Sequence, residues 1–309
     1  MSNYWSQYWQ QGHLTSFGED IKDNYEGELK AVWDGFFVQL SEEDRVLDIG
    51  TGNGAVVALA LAHNKAGCQF VGIDYAKLNI NNQQLLESTN ASFKEHVSVE
   101  NLPFETESYN MVTSQFAIEY TDLTKSVAEI ARVLKFNGTF QLVCHHEQSS
   151  IVKPNNGILA AAEKIMTHDG PYKTCMVLIE LLSNNTADAH HEREVTRNNL
   201  NGQLAELSNI DDASLYATNF PQFLKNIFSK RSVVEKKRIV EQFGNEMAGL
   251  ILRLNDLKKA SLNETQKNEL LELCKKNGLQ ITACNTLTQK DGTILAHQIM
   301  GMKPELQSN

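Results

Sequence analysis

The stretch Arg45-Val-Leu-Asp-Ile-Gly-Thr-Gly-Asn-Gly54, followed about twenty residues later by Val71-Gly-Ile-Asp74, constrains this chain more than any other. It reads as a strand, a glycine-rich turn and a helix, then a second strand ending in a carboxylate. Gly50, Gly52 and Gly54 allow a sharp turn and a close approach of backbone to a ligand. The helix that follows points its free N–H groups at that ligand. Asp74 stands where a carboxylate accepts hydrogen bonds from ribose hydroxyls. The arrangement is a nucleoside-binding crevice.

The pattern around it alternates strand and helix. Strands are expected at Arg45–Ile49, Gln69–Ile73, His96–Val99, Tyr109–Ser114 and Thr139–Cys144. Helices are expected at Ala55–His63, Lys77–Ser88 and Leu123–Leu134. Such alternation means a parallel sheet covered on both faces. From 150 to 262 strand signals vanish and apolar residues fall at helical spacing. The longest helix there, about 232–259, carries a seam of Val240, Phe243, Met247, Leu250, Leu254 and Leu257, steps of 3 and 4 read as packing on its own domain. Ser261-Leu-Asn-Glu264 matches a capping box that opens another helix. Two strands follow, at Gln280–Thr288 and Thr293–Met300, joined by a turn containing Asp291-Gly292. The expected fold is α/β: a Rossmann-like, seven-stranded, mostly parallel sheet with a C-terminal antiparallel hairpin. A helical insertion, or lid, lies between the fifth strand and the last helix. The expected segments are 1–149 (N-terminal helices and first part of the core), 150–262 (insertion) and 263–309 (completion of the sheet).

Composition narrows the function. With 309 residues, 41% of them hydrophobic, the chain can bury a sizeable core. Its net charge of −10 disfavours a nucleic-acid partner, which is held by Lys/Arg stripes. The notable basic clusters, Lys230-Arg231 and Lys236-Lys237-Arg238, read as a solvated helix face. No apolar run reaches membrane-spanning length. Five scattered cysteines with no CxxC spacing argue against a disulfide framework and for a reducing, cytoplasmic setting. His145-His-Glu147 and His190-His-Glu192 do not make a metal site, because adjacent residues on a strand diverge and no third ligand has recognisable spacing.

Gly50-Thr-Gly-Asn-Gly-Ala55 also fits a dinucleotide pattern, GxGxx(G/A). Asp48, two residues before the first glycine, argues against it: a carboxylate there meets a cation and repels a pyrophosphate. Val46-Leu-Asp-Ile-Gly-Thr-Gly-Asn-Gly54 resembles motif I of class I S-adenosylmethionine-dependent methyltransferases, and Gly72-Ile-Asp74 resembles their acidic second motif. Asn101-Leu-Pro-Phe104 with Ser108-Tyr-Asn-Met-Val112 resembles a segment of the small-molecule branch that includes ubiquinone/menaquinone-type enzymes (methyltransferase type 11/25-like). Ala128-Glu-Ile-Ala-Arg-Val-Leu-Lys-Phe-Asn-Gly138 resembles the block before the fifth strand.

The resemblance implies S-adenosyl-L-methionine as cofactor, with S-adenosyl-L-homocysteine as product. Asp48 and the turn Gly50, Thr51, Gly52, Asn53 and Gly54 would hold its methionine part. Asp74 would bind the ribose and Tyr75 would lie beside the adenine. Ser98, where the family often has an acidic residue, would bond the adenine amino group, and Val99 would offer its backbone N–H. Gln115 would lie where cofactor meets substrate. His145 and His146, at the end of the fifth strand, are the candidates for a catalytic base. Tyr4, Trp5, Tyr25, Glu119 and Tyr120 are candidates for substrate or lid contacts. The expected partner is a small molecule whose acceptor atom is O, N or C, taken by a monomer or homodimer. A cofactor-binding regulatory or scaffold protein without turnover is the second reading, and a nicotinamide-dependent oxidoreductase the third.

Overall fold

The computed structural model describes residues 4–16, 23–183, 186–229 and 232–305. The Lys230-Arg231 cluster lies outside the described residues. The chain divides into two compact units, Met1–Ser150 with Lys259–Asn309, and Ile151–Lys258.

The first unit is built on a seven-stranded sheet. Its strands are β1 (Arg45–Ile49), β2 (Gln69–Ile73), β3 (Ala91–Lys94), β4 (Tyr109–Gln115), β5 (Leu134–His145), β6 (Gln280–Thr288) and β7 (Ile294–Met302), in the spatial order β3-β2-β1-β4-β5-β7-β6. The first five are parallel; β7 runs antiparallel to both β5 and β6. β1, β2 and β4 are almost wholly buried, which is why they read as continuous apolar runs rather than alternating ones. Order reverses at β1, flanked by β2 and β4, and a crevice opens at the carboxyl ends of these strands.

Helices α1 (Tyr4–Trp9), α2 (Gly27–Phe37), α3 (Ala55–Leu61), α4 (Gln83–Glu87) and α5 (Leu123–Val133) precede β5. α2 buries Leu29, Trp33, Phe36 and Phe37, the i, i+4, i+7, i+8 face of its sequence.

Two of the differences from expectation lie beside the crevice. The third strand forms at Ala91–Lys94, not His96–Val99. His96 has a φ of 58°, in the left-handed region, and the Val97 N–H bonds the Asp74 carbonyl at 3.0 Å, so 96–99 is a loop clasped to the end of β2. Val97 and Val99 are apolar because they pack on the core from that loop. β3 is an edge strand with only alternate residues half-buried, so its pattern is faint. The fourth helix is also shorter than the expected Lys77–Ser88. Residues 77–82 are held instead by side chains: the Leu78 N–H bonds Glu95 Oε1 at 2.6 Å and the Asn79 N–H bonds Asn53 Oδ1 at 2.8 Å. Asn82 then caps α4.

After β5 come α6 (Val152–Ile165), α7 (Pro171–Leu181), α8 (Ala187–Ala217), α9 (Phe220–Ile227) and α10 (Val233–Ala260). α8 breaks at Asp211, whose carboxylate accepts the Ser214 N–H and restarts the helix. The α10 seam is buried within its own unit. Val240 and Met247 join a cluster with Phe220, Phe223 and Ile227, and Leu254 and Leu257 pack on Val152 and Leu159. Lys236 is buried, and its Nζ donates to the Ile227 and Ser229 carbonyls at the end of α9. It therefore contributes no charge to a basic surface patch.

The chain returns to the sheet through α11 (Glu264–Lys276). Its capping box is Asn263/Gln266 rather than Ser261/Glu264. Leu262 still bridges to His146 as extended backbone, so the helix begins two residues later than its first hydroxyl. α11 packs Leu270 and Cys274 into the same core as β5 and β7.

Candidate functional site

A cavity of about 340 Å³ lies at the carboxyl ends of β1, β2 and β4. Asp48, Gly50 and Thr51 line it from the first strand and turn, Asp74 and Tyr75 from the second, Ser98 and Val99 from the 96–99 loop, and Gln115 from β4. Trp5 and Tyr25, from the N-terminal segment, and Tyr120 also line it.

The turn is built for close packing. Gly50 has a φ of 66°, and a Cβ there would sit 2.1 Å from the Ala117 Cβ. Gly52 has a φ of 51°, and a Cβ would meet the Trp9 ring at 2.6 Å. Gly52 and Gly54 do not line the cavity; the first seats Trp9 and the second faces Leu85 and Phe93. Asn53 is likewise a brace. Its amide donates to the Trp9 and His13 carbonyls at 3.0 and 2.7 Å and accepts the Asn79 N–H. The spacing of the motif does not distinguish ligand-facing from structural positions, because both need small or polar residues.

Asp74 holds the turn in shape. Its Oδ2 accepts the Gly52 N–H at 2.9 Å and its Oδ1 the Ala76 N–H at 2.8 Å. Burial raises its pKa against the lowering effect of these donors. Asp48 is buried more completely, and desolvation, with the charge of Asp74 as a lesser cause, pushes its pKa up to about 7. Thr113 donates to Asp48 Oδ1 at 2.8 Å, while Oδ2 has no partner. Thr51 Oγ1 and Gln115 Nε2 are also buried without partners. The other end of the Gln115 amide, Oε1, accepts Trp33 Nε1–H, which fixes the direction of Nε2. Tyr25 is buried beside Ser16 and Gln115, and desolvation pushes its pKa up to about 12.

The two histidines part company. His145 lies against Phe116 and Tyr120, ring centroids 4.3 and 5.8 Å away, and both of these line the cavity. Its Nδ1 and its backbone nitrogen are each 2.8 Å from Glu119 Oε1, inside a wholly buried carboxyl group. His146 points to the other face of the sheet, where it stacks on His297 at 4.2 Å. His146 is therefore not a base for this cavity. Tyr4 is buried but does not line it, and Glu119 acts behind the wall. Trp9, His96 and Phe116, not singled out by motif, do line it. Their signal is only positional: Trp9 ends α1, Phe116 directly follows β4 and His96 lies two residues past β3.

Residues 47–142 match a family model described as a methyltransferase domain. That span, from β1 into β5, is similar to a methyltransferase domain. Over 115 residues the chain is 36% identical to the uncharacterized methyltransferase YcgJ of Bacillus subtilis (strain 168), covering 34% of this chain and 42% of that one. A second B. subtilis protein named as a methyltransferase, YrhH, is 31% identical over 108 residues, covering 34% of this chain and 59% of its own. The chain thus spans about half the length of these relatives. Among solved structures, the Haloferax volcanii complex of the Trm112 methyltransferase activator with a methyltransferase contains a chain of similar fold. Its TM-score is 0.51 at 13% identity, over 99% of this chain and 100% of that one.

The residues lining this cavity fit S-adenosylmethionine, the cofactor that the sequence resemblance implies. Asp48, Thr51 and Gln115 line the cavity, and each carries a buried polar atom without a hydrogen-bond partner of normal geometry, a cost that a ligand can offset.

Proposed function

We propose that this chain is an S-adenosylmethionine-dependent methyltransferase that acts on a small-molecule acceptor. The observation that carries the reading is the set of unpartnered atoms, Asp48 Oδ2, Thr51 Oγ1 and Gln115 Nε2, around a single cavity beside Asp74. Asp48 Oδ2 would take the ammonium of the cofactor and Asp74 its ribose hydroxyls, with Tyr75, Ser98 and Val99 at the adenine. When bound, S-adenosylmethionine supplies an activated methyl on a sulfonium, which needs mainly alignment with the nucleophile. Trp5, Tyr25, Phe116 and Tyr120 give that space an aromatic wall that keeps water from it. The Asn101-Leu-Pro-Phe104 segment supports the small-molecule, ubiquinone/menaquinone-like branch.

His145 is the base in this reading. His145 packs behind Phe116 and Tyr120 rather than in the cavity lining; Glu119 accepts its Nδ1–H, which puts the lone pair on Nε2, the atom that would take a proton from an O–H or N–H acceptor. The helical insertion leaves the core directly after β5. A cytoplasmic location is part of the same proposal, supported by five unpaired cysteines.

Isothermal titration with S-adenosylhomocysteine and with NAD tests the reading. We expect saturable binding of the first and none of the second. Binding of NAD with no heat from S-adenosylhomocysteine would overturn it.

A further inference from the structure

We propose that His146, Glu264 and His297 form a binding site for a divalent cation of the zinc type, on the face of the sheet opposite the cofactor cavity. His146 follows β5, Glu264 opens α11 and His297 belongs to β7. One ligand atom from each lies within 4.8 Å of the other two. His297 is paired across the ladder with Cys144, so the two share a face, and alternation places His146 there and His145 on the other.

The observation that points to a ligand is the state of His297. Its ring is wholly buried. Nε2 lies 3.1 Å from the Leu262 carbonyl oxygen, which can only accept, so Nε2 carries the proton. Nδ1 is then a bare lone pair, buried and without a partner. Metal-ligating histidines have this arrangement, one nitrogen donating to a backbone carbonyl and the other facing the ion. Two imidazoles and a carboxylate are a donor set for zinc and its late first-row neighbours rather than for magnesium or calcium.

Existing contacts that yield on loading include the Lys267 Nζ bond to Glu264 Oε2 at 2.5 Å, the Gln148 N–H bond to His146 Nδ1 at 2.9 Å and the stacking of the His146 and His297 rings at 4.2 Å. Glu264 is exposed and can turn to the ion. Water completes the coordination. A cation here ties together the end of β5, the start of α11 and β7, the point where the chain leaves the core sheet and where it returns.

The test uses the untagged full chain, freed of metal with a chelator and titrated with Zn²⁺ by calorimetry and with Co²⁺ by visible absorption. We expect one saturable Zn²⁺ equivalent, Co²⁺ d–d bands, and a Tm higher by several degrees at Zn²⁺ about a hundred times Kd. Glu264→Gln, at an exposed position, and His146→Gln should each weaken Zn²⁺ by at least about tenfold while S-adenosylhomocysteine binding is kept. No Zn²⁺ heat in the wild type would overturn the proposal. So would equal Zn²⁺ affinity in the wild type and both variants, which would place the ion elsewhere.

Discussion

A single carboxylate oxygen of Glu119 holds His145 at two points, the backbone N–H and Nδ1, each at 2.8 Å. A carboxylate only accepts, so a neutral His145 has its proton on Nδ1 and its lone pair on Nε2. Glu119 is a positioning group, and its second oxygen has no partner. Replacing it by Gln removes the constraint on the tautomer. ¹⁵N spectra of histidine-labelled protein should show a single Nδ1–H tautomer for His145 in the wild type and a mixture in Glu119→Gln, with cofactor affinity unchanged. An unaltered tautomer in the variant would remove Glu119 from this role.

Asp48 gives the cofactor site a pH dependence whose sign can be worked out. Its pKa rises from an ordinary 3.8 to about 7 on burial. The folded state therefore holds the proton more tightly than the unfolded one. Its contribution favours folding at low pH, falls as pH rises from about 4, and reaches its full cost above about 7. That cost is on the order of 4 kcal/mol. Asp48→Asn should therefore be more stable than the wild type at pH 8 and nearly equal to it at pH 4, as read by urea melts. Binding should show the converse. The ligand ammonium favours the ionised carboxylate, so wild-type affinity for S-adenosylhomocysteine should strengthen between pH 6 and 8, and that of Asp48→Asn should stay flat. Parallel pH profiles for the two proteins would dissociate Asp48 from the ammonium.

Much of this was legible in the sequence where one residue type answers one physical demand. The Gly50–Gly54 turn, the Asp74 carboxylate and the Asp291-Gly292 hairpin each need particular residues, and the seven-stranded sheet with its antiparallel end follows from them. Where two demands select the same residues, the sequence is silent. Asn53 in a cofactor motif is polar whether it faces a ligand or, as here, braces Trp9 and His13. Val97 and Val99 are apolar as loop residues and mimic a strand. Glu264 and His297 lie far from His146 in the chain, and only the return of the chain through α11 and β7 brings the three together.

Asp74 has two duties, and they can be separated. Its oxygens accept the Gly52 and Ala76 N–H groups and retain lone pairs for a ligand. Asp74→Ala should weaken S-adenosylhomocysteine by about 1.5–3 kcal/mol, the scale of a lost hydrogen bond to a charged group. Asp74→Asn keeps one acceptor for the turn and should lose less. Titration calorimetry on the folded variants decides it, and unchanged affinity in Asp74→Ala would take the residue out of the site.

Trp9 seated on Gly52 links the N-terminal helix to the cofactor turn. Alanine at 52 meets two costs, a left-handed φ of 51° and a Cβ 2.6 Å from the Trp9 ring. Together these should destabilise the core by about 2–3 kcal/mol. Trp9→Ala leaves a void beside Trp5 and Tyr8, whose rings pack against it, and should cost about 3–5 kcal/mol. In the double variant the clash is gone, while the backbone cost remains. The two losses should therefore sum to less than the separate values by about 1 kcal/mol or more. Urea melts of the four proteins give the coupling directly. Strict additivity would mean that Trp9 does not rest on Gly52, and that the glycine is needed for its backbone conformation alone.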